Sequence, residues 1–145
     1  MAKTYSLSGG TRAFNAFLTT LIQLGVPSGS TVVLTVPGRR TGQSRSTPLN
    51  FLVEDGRRYL VAPYGEVGWV QNVRAADGRA QIKYRGRTEN VRLAEVPAAA
   101  AAPPLKQYVQ KYKIVAPYFE AKARDPVERF AAEAAKHPVF EMLPG

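Results

Sequence analysis

Residues 31–62 read TVVLTVPGRRTGQSRSTPLNFLVEDGRRYLVA, and in this stretch apolar runs alternate with turn signals. The run from Thr31 to Val36 is rich in β-branched residues, and a second apolar run lies from Pro48 to Val53. Asp55-Gly56 is a strong hairpin signal, and a third run follows it from Arg58 to Ala62. The stretch therefore predicts three strands, the last two joined as an antiparallel hairpin.

Two further strands and a short helix are predicted next, and a last strand near the end of the chain. Val67 to Ala75 reads as the helix, and Pro138 to Met142 as the last strand. Between them, apolar residues alternate with polar ones in two runs; these residues are Ala80, Ile82, Tyr84, Val91 and Leu93. Such alternation is typical of half-buried strands in an antiparallel sheet.

Helices are predicted on both sides of these strands. An N-terminal helix over about residues 11–25 has apolar residues at helical spacing, namely Phe14, Phe17, Leu18, Leu21 and Ile22. C-terminal helices are predicted over about residues 104–136, with Pro103-Pro104 interrupting the preceding alanine run and Asp125 capping a second helix. The order of elements predicts one domain over residues 1–145, mainly β with flanking helices and built as a small antiparallel barrel.

The composition excludes several classes of function. The 145 residues include no cysteine and a single histidine, His137, so thiolate catalysis, disulfides and multi-histidine metal sites are ruled out. No run of about 18 apolar residues is present, so no membrane span is predicted. The sequence also lacks a secretory pattern, and the absence of cysteine suits the reducing cytoplasm, where we expect the protein to be.

The net charge of +9 indicates an anionic partner. Nucleic acid, a membrane surface and an acidic small molecule are the three candidates. No recognition-helix, zinc-finger or ribonucleoprotein motif accompanies the basic residues, so nucleic acid is not the predicted partner. A nucleic-acid-binding domain would show an affinity that falls steeply with salt.

The turn after the first strand is the best candidate for an anion site. Gly38-Arg39-Arg40-Thr41-Gly42 and Arg45 bring three arginines and two glycines to one connection, expected to run as far as Leu49. Guanidinium groups suit phosphate and carboxylate, and glycines let the backbone approach an anion closely. The alternative interpretation is a solvated turn that is kept basic for solubility.

These residues, taken with those that follow, resemble the deazaflavin-dependent nitroreductase family of split β-barrel flavin and deazaflavin oxidoreductases. The resemblance rests on Gly38–Gly42 with Arg45 and Thr47-Pro48-Leu49, on Tyr59–Ala62, and on Trp69-Val70-Gln71-Asn72-Val73-Arg74-Ala75. It spans about Thr31 to Val96. It implies a split barrel of the FMN-binding type and hydride transfer from a reduced 8-hydroxy-5-deazaflavin, coenzyme F-420, to a quinone, nitroaromatic or activated alkene.

The resemblance also implies where the cofactor binds. Its acidic phosphodiester and oligoglutamate tail would meet the arginine-rich turn, and its ring would lie against the strand end near Tyr64. The residues so assigned are Arg39, Arg40, Thr41, Gly42, Gln43, Arg45, Thr47, Pro48, Ala62, Pro63, Tyr64, Gly65, Trp69 and Asn72. No catalytic residue is assigned. Flavin mononucleotide is the second choice of cofactor, and a non-enzymatic barrel that binds a flavin, a lipid or a tetrapyrrole is the alternative function.

Three tyrosines in the C-terminal region are candidates for acceptor binding or proton donation: Tyr108, Tyr112 and Tyr118. Tyr108 and Tyr112 are four residues apart and share a helix face, and packing is the alternative role for them. Trp69 is as readily a core anchor, and Asn72 a structural hydrogen-bonding residue. His137 precedes a proline and is predicted to lie on the surface. Split barrels of this type are often dimers, and peripheral contact with the inner membrane face is compatible with the charge.

Overall fold

The computed structural model describes residues 31–145, and it shows a closed antiparallel barrel of six strands in the order β1-β2-β3-β6-β5-β4. The strands are β1 (Thr31–Pro37), β2 (Ser44–Glu54), β3 (Arg57–Val61), β4 (Arg79–Tyr84), β5 (Arg87–Glu95) and β6 (Val139–Pro144). Helix α1 (Gly68–Ala75) connects β3 to β4, and helix α2 (Ala98–Lys111) follows β5. Two 3₁₀ segments, Lys113–Tyr118 and Val127–Ala135, precede β6.

The barrel interior is filled by the apolar half of each alternating strand. Val32, Leu34 and Val36 of β1 face Ile82 of β4 and the aromatic ring of Phe140 in one buried cluster. Helix α1 adds Trp69, Val70 and Val73 to the same cluster, and its closest strand neighbour is β1. Because α1 buries its apolar face in the barrel, it closes one end and places its polar residues beside the β1–β2 turn.

A second apolar layer covers the outside of β2, β3 and β6. Leu52, Tyr59 and Val139 point away from the barrel interior, and the buried faces of α2 and the 3₁₀ segments pack on them. Phe119 and Phe130 are among the largest fully buried side chains of this layer. The C-terminal third of the chain thus packs on the outside of β2, β3 and β6. Strand β3 leads directly into the connection to α1.

The structure confirms the predicted strands and corrects the bounds of one. Strand β2 begins at Ser44, not at Pro48, because Ser44–Asn50 pair with β1 through an unbroken register. The connection after β1 is therefore only residues 38–43, and Arg45, Thr47 and Pro48 lie on a strand. The polar composition of Ser44–Thr47 concealed this pairing. Pro48 is compatible with it because prolines are tolerated where a strand is paired on one side only.

The prediction of C-terminal helices over residues 104–136 was wrong in detail. Helix α2 begins at Ala98, so Pro103 and Pro104 lie inside it and not before it. The buried face of this helix packs on β2, β3 and the second 3₁₀ segment, and this packing stabilises the helix through both prolines. Asp125 does not cap a helix, because its Oδ2 accepts a hydrogen bond from the N–H of Lys122 at 2.8 Å, and the segment that follows is a 3₁₀ turn. The predicted helix at 11–25 lies outside the described residues.

His137 is buried, not on the surface as predicted, with 4% of its area exposed. The prediction rested on the proline that follows His137. The burial comes from Phe119, which is distant in the chain and stacks on the imidazole. Within residues 31–145, no helix is long and apolar enough to cross a membrane. The same residues contain no group of three or more acidic, histidine or cysteine side chains arranged to hold a metal ion.

Candidate functional site

The candidate site lies where strand β2 extends past its neighbour β3. The ladder between β2 and β3 covers only Phe51–Glu54, whereas β2 pairs with β1 from Ser44 to Asn50. Strand β3 ends at Val61, and residues 62–67, here called the wall loop, lead from it to α1. The first half of β2, the wall loop and the β1–β2 turn therefore surround the part of the barrel where β2 is paired on one side only.

Residues 38–43, here called the arginine turn, form a compact loop. The N–H of Gly38 donates to the carbonyl of Gln43 at 2.7 Å, and the N–H of Gly42 donates to the carbonyl of Gly38 at 2.9 Å. The N–H of Gln43 donates to Thr41 Oγ1 at 3.2 Å, and Gly42 has a φ of +76°, which favours glycine. Hydrogen bonds within residues 31–145 leave the N–H groups of Arg40 and Thr41 unused, so both can serve an anion.

Arg39 fixes the arginine turn to helix α1. Its backbone N–H and its Nη1 both donate to Asn72 Oδ1, at 3.1 and 2.9 Å. Asn72 is buried, with 7% of its area exposed, so its amide oxygen depends on these two donors. Asn72 is thus the structural hydrogen-bonding residue that its sequence context suggested, and it sets the position of the turn.

Arg39, Arg40 and Arg45 are all exposed at this site, but the guanidinium groups of Arg40 and Arg45 make no hydrogen bond within residues 31–145. Neither forms an ion pair with any of residues 31–145, although six other basic side chains there do so with carboxylates. Arg45 lies over the turn, because a Cβ placed on Gly38 would be 3.5 Å from both Cγ and Nε of Arg45. A glycine at position 38 therefore lets the Arg45 side chain lie against the backbone of the turn.

The wall loop is packed on the segment that leads into β6. The N–H of Ala62 donates to the carbonyl of Pro138 at 2.9 Å. Gly65 has a φ of +93°, and a Cβ there would be 3.3 Å from the carbonyl oxygen of Lys136. The ring of Tyr64 meets that of Tyr118 edge to face, with centroids 4.9 Å apart. Ala62 and Pro63 are buried, whereas Tyr64 is exposed, so Tyr64 is the accessible aromatic residue of this loop.

Glu66 does not present a free negative charge to the site. Arg74 donates to Glu66 at 2.9 Å and to both carboxylate oxygens of Glu95 at 3.0 and 2.8 Å. Hydrogen bonds to the two acids raise the pKa of Arg74. The carboxylate of Glu66, which lies in the wall loop, is therefore paired with a guanidinium group.

The predicted tyrosine group is assembled beside the wall loop. The rings of Tyr108 and Tyr112 are 4.7 Å apart, as their helical spacing predicted. Tyr112 donates its hydroxyl proton to the carbonyl of Phe51 at 2.8 Å. Tyr108 is buried, and burial, followed by the neighbouring Tyr112 and Tyr64, raises its pKa, so it keeps its proton. Tyr112 and Tyr118 are both partly exposed, and of these two Tyr118 is the one whose ring pairs with the exposed Tyr64.

Trp69 belongs to the barrel core. Its ring centroid is 5.7 Å from that of Phe140, and 8% of its area is exposed. Thr47 points to the barrel interior with Leu49, since their partners on β1 are Leu34 and Val32. Two polar contacts near the site are not indicated by the sequence: the bridge that Arg74 forms between Glu66 and Glu95, and the buried pair of Glu133 and His137. No local sequence pattern indicates either contact. Arg74 is 8 residues from Glu66 and 21 from Glu95. Glu133 and His137 are at i,i+4 spacing, which is equally typical of a surface helix.

These residues fit a deazaflavin coenzyme. An acidic phosphodiester and glutamate tail requires cationic and N–H donors, which Arg40, Arg45 and the free N–H groups of the arginine turn supply. A planar ring requires apolar surface with a few polar groups, and the wall loop offers the exposed ring of Tyr64 beside that of Tyr118. Behind this pair, Tyr108 is buried and Tyr112 donates its hydroxyl proton to the carbonyl of Phe51.

Comparison with solved structures supports the same fold. A chain described as a domain-swapped dimer matches with a TM-score of 0.60 at 19% identity, covering 92% of this chain and 99% of its own length. An F420-H2 dependent reductase matches with a TM-score of 0.53 at 20% identity, covering 78% of this chain and 93% of its own. An FAD-binding protein from Mesorhizobium loti matches with a TM-score of 0.54 at 16% identity, covering 90% and 89%. No curated protein matches the chain significantly.

The sequence itself carries the family assignment. The family model for F420H(2)-dependent quinone reductase matches residues 11–126, well over half of the chain. This match confirms the resemblance that the arginine turn and the Trp69–Ala75 element indicated, and with it a deazaflavin-dependent oxidoreductase that uses reduced coenzyme F-420. With its split barrel and its arginine turn, this chain belongs to the F420H(2)-dependent quinone reductase family.

Proposed function

We propose that this chain reduces a quinone with reduced coenzyme F-420, and that the arginine turn holds the acidic end of the cofactor. The observation that carries the proposal is the pair of exposed guanidinium groups, Arg40 and Arg45, that have no acidic partner in residues 31–145. Unpaired arginines beside unused backbone N–H groups are expected to bind a phosphate or carboxylate.

When bound, the reduced deazaflavin supplies a hydride from its C5 carbon, which is the redox chemistry of the reaction. The chain contributes position and environment. The arginine turn binds the charged tail, and Asn72 keeps that turn against α1. The wall loop and the half-paired part of β2 flank the ring. The packed tyrosines behind them exclude water from one side of the site.

The acceptor is assigned to the side of the site near Tyr64 and Tyr118. Their edge-to-face pair offers an aromatic surface that is open to solvent, and a flat quinone or nitroaromatic ring can stack on such a surface. Tyr112 and Tyr108 act behind this pair, the first by fixing the end of the β2–β3 ladder and the second by packing. A quinone is favoured by the family to which the chain belongs, and nitroaromatics and activated alkenes are the competing acceptors.

Two properties of the assembly are also proposed. We expect a homodimer, because a structurally similar chain is described as a domain-swapped dimer. We expect peripheral attraction to an anionic membrane surface, because the net charge is +9 and many quinones dissolve in lipid. Light scattering during gel filtration tests the first property, and sedimentation with vesicles of anionic or neutral lipid tests the second. A monomer, or equal binding to both kinds of vesicle, would contradict the respective proposal.

The central experiment measures cofactor affinity by calorimetry for the parent chain and for Arg40→Ala and Arg45→Ala. A charge-assisted hydrogen bond contributes about 1.5–3 kcal/mol, so each variant should bind coenzyme F-420 roughly 10- to 100-fold more weakly. Turnover at saturating cofactor should change much less, since these groups act on binding and not on hydride transfer. Arg87→Ala is the matched control, because Arg87 is exposed in the β4–β5 hairpin and its loss changes the net charge equally.

The outcomes separate the alternatives. Parent-like affinity in both Arg40→Ala and Arg45→Ala would make the arginine turn a solvated turn. Equal or tighter binding of flavin mononucleotide in a parallel titration would favour the second cofactor. Tight deazaflavin binding with no oxidation by quinone, nitroaromatic or activated alkene would favour the non-enzymatic binding module.

A further inference from the structure

Glu133 and His137 form a buried polar pair directly behind the wall loop. Their exposed areas are 4% each, in a layer that is otherwise apolar. Glu133 Oε2 accepts hydrogen bonds from the N–H groups of Glu120 at 3.0 Å and Ala121 at 2.8 Å. Its other oxygen, Oε1, is 3.5 Å from His137 Nε2. The carboxylate is therefore held in a fixed orientation and turns one oxygen towards the imidazole.

The imidazole of His137 is enclosed on every described side. The ring of Phe119 stacks on it, with centroids 3.9 Å apart and planes 20° apart. Carbonyl groups of Ala62, Pro63 and Tyr118 also face it. Within residues 31–145, neither ring nitrogen makes a hydrogen bond of good geometry. Two of these carbonyls belong to the wall loop, and the third belongs to the residue that pairs with Tyr64.

Burial favours the neutral form of this imidazole. Desolvation lowers the pKa of His137, and the Glu133 carboxylate and the three carbonyls oppose this effect only in part. Glu133 is the charged group that faces the ring; the nearby Lys136 is paired with Glu120 at 2.7 Å on the surface. A protonated His137 is thus stabilised by any rearrangement that brings the ring to water. Because Phe119 and the wall loop cover the ring, such a rearrangement must move one of them.

We propose that His137, oriented by Glu133, is a proton-sensitive latch that keeps the wall loop packed while the imidazole is neutral and releases it when the imidazole is protonated. Release would displace Ala62–Gly65 and the Tyr64–Tyr118 pair, which form one side of the cofactor site. Acid would therefore weaken cofactor binding. Only the effect of acid on cofactor binding rests on the proposed function. The packing of the wall loop on His137 is independent of any ligand.

The first test does not use the cofactor. His137 is the single histidine in the chain, so one imidazole signal in an NMR titration reports on it without assignment by mutation. We expect a midpoint below the value of about 6.5 for an exposed histidine, with the amide signals of Ala62 and Gly65 shifting at the same pH. A midpoint near 6.5 with unmoved wall-loop amides would overturn the latch.

Glu133→Gln tests the electrostatic part. Glutamine keeps an oxygen that can accept from Glu120 and Ala121 but removes the charge that favours the imidazolium form. The midpoint of the His137 signal should therefore move to lower pH than in the parent chain. Glu128→Gln is the matched control, because it removes one exposed carboxylate from the same 3₁₀ segment and should leave the midpoint unchanged. Equal midpoints in the parent and Glu133→Gln would contradict the assigned role of Glu133.

The second test measures affinity for coenzyme F-420 by calorimetry from pH 8 to pH 5. Affinity should be constant above the midpoint and fall by up to about tenfold per pH unit below it, as expected for one linked proton. His137→Gln should remove this part of the pH dependence. If the parent does not bind the cofactor at all, the proposed function fails, while the NMR titration still decides the latch. If it binds with a pH-independent affinity, the link to binding fails and the proposed function stands.

Discussion

At the scale of single residues, a few polar side-chain atoms hold the proposed cofactor site together. Asn72 Oδ1 accepts both hydrogen bonds that fix Arg39, and the Tyr112 hydroxyl donates to the Phe51 carbonyl at the end of the β2–β3 ladder. Each of these contacts joins two elements that are distant in the chain. Removing one side of such a contact leaves a buried partner without its hydrogen bond, which costs more than the contact itself contributes.

Asn72→Ala should destabilise the chain and loosen the arginine turn. The backbone N–H and Nη1 of Arg39 lose their acceptor, so the free energy of unfolding in urea should fall by about 1–3 kcal/mol. Gln71→Ala is the neighbouring control: Gln71 is exposed and donates only to the Glu66 carbonyl, so its effect should stay within about 0.5 kcal/mol. Equal effects of the two variants would show that the Arg39–Asn72 contact does not hold the turn.

Tyr112→Phe should affect the acceptor and leave the cofactor largely alone. The variant keeps the ring beside Tyr108 and loses the hydrogen bond to the Phe51 carbonyl. Steady-state kinetics with a quinone should show an altered KM at near-normal deazaflavin affinity. Tyr59→Phe, which removes a hydroxyl from the outer face of β3, should leave both quantities unchanged. A loss of cofactor affinity in Tyr112→Phe would move Tyr112 into the cofactor site.

At the scale of secondary-structure elements, β2 and α2 depart most from local expectation. Strand β2 continues through Ser44–Thr47 because β1 offers it an unbroken partner, and this extension carries Arg45 alongside the arginine turn. Helix α2 continues through Pro103 and Pro104 because its buried face packs on β2, β3 and the second 3₁₀ segment. In both cases tertiary packing outweighs a weak or unfavourable local propensity.

Pro103→Ala should stabilise the chain. Proline at a position inside a helix lacks an N–H and is about 3 kcal/mol less favourable than alanine, and Pro103 is exposed, so no packing is lost. A gain of about 1 kcal/mol or more should raise the melting temperature by roughly 2–4 °C per kcal/mol. Pro104→Ala should gain less, because Pro104 is buried and its ring contacts would be removed. An unchanged melting temperature in Pro103→Ala would mean that the unfolded chain gains as much entropy as the helix gains stability.

At the scale of the whole molecule, we expect the net charge of +9 to make ligand association depend on salt, and the buried His137 to make stability depend on pH. Long-range attraction raises the association rate of an acidic ligand and is screened by salt, whereas contacts inside the site are screened less. Because folding buries a neutral imidazole, the free energy of unfolding depends on pH.

Cofactor association should be faster at low salt. Stopped-flow measurement between 20 mM and 500 mM salt should show the association rate of coenzyme F-420 falling as salt rises, because the ligand is acidic and the chain is basic. The KM for an uncharged quinone is the internal control and should stay nearly constant. A salt-independent association rate would show that the charge of the chain does not guide this ligand.

Stability should fall on mild acidification. The pKa of His137 is lower in the folded chain than in the unfolded chain, so the unfolded state takes up the proton first. Stability is then fully present above about pH 6.5 and decreases below it, by at most about 1.4 kcal/mol per pH unit. Urea unfolding between pH 7.5 and pH 5.5 measures this loss, in a range above that in which most carboxylates titrate. His137→Gln should be flat over that range, and a parent as flat as the variant would disprove the linkage.

The sequence alone determined the features that depend on local pattern and composition. Alternating apolar residues predicted the strands, Asp55-Gly56 predicted the hairpin, and the arginine turn with Trp69–Ala75 identified the family. Strand alternation and turn chemistry act over a few neighbouring residues, so they are legible without the fold. The same holds for the helical spacing that placed Tyr108 beside Tyr112.

Only the tertiary structure decided the contacts between distant segments. Asn72 meets Arg39 across 33 positions, and Arg74 joins Glu66 to Glu95 across the barrel end. His137 was expected on the surface, and Phe119 with the wall loop buries it. The start of β2 and the course of α2 through its prolines likewise depended on their packing partners. Burial and pairing are properties of the folded surface that surrounds a residue, and the residues adjacent to it in the chain do not specify them.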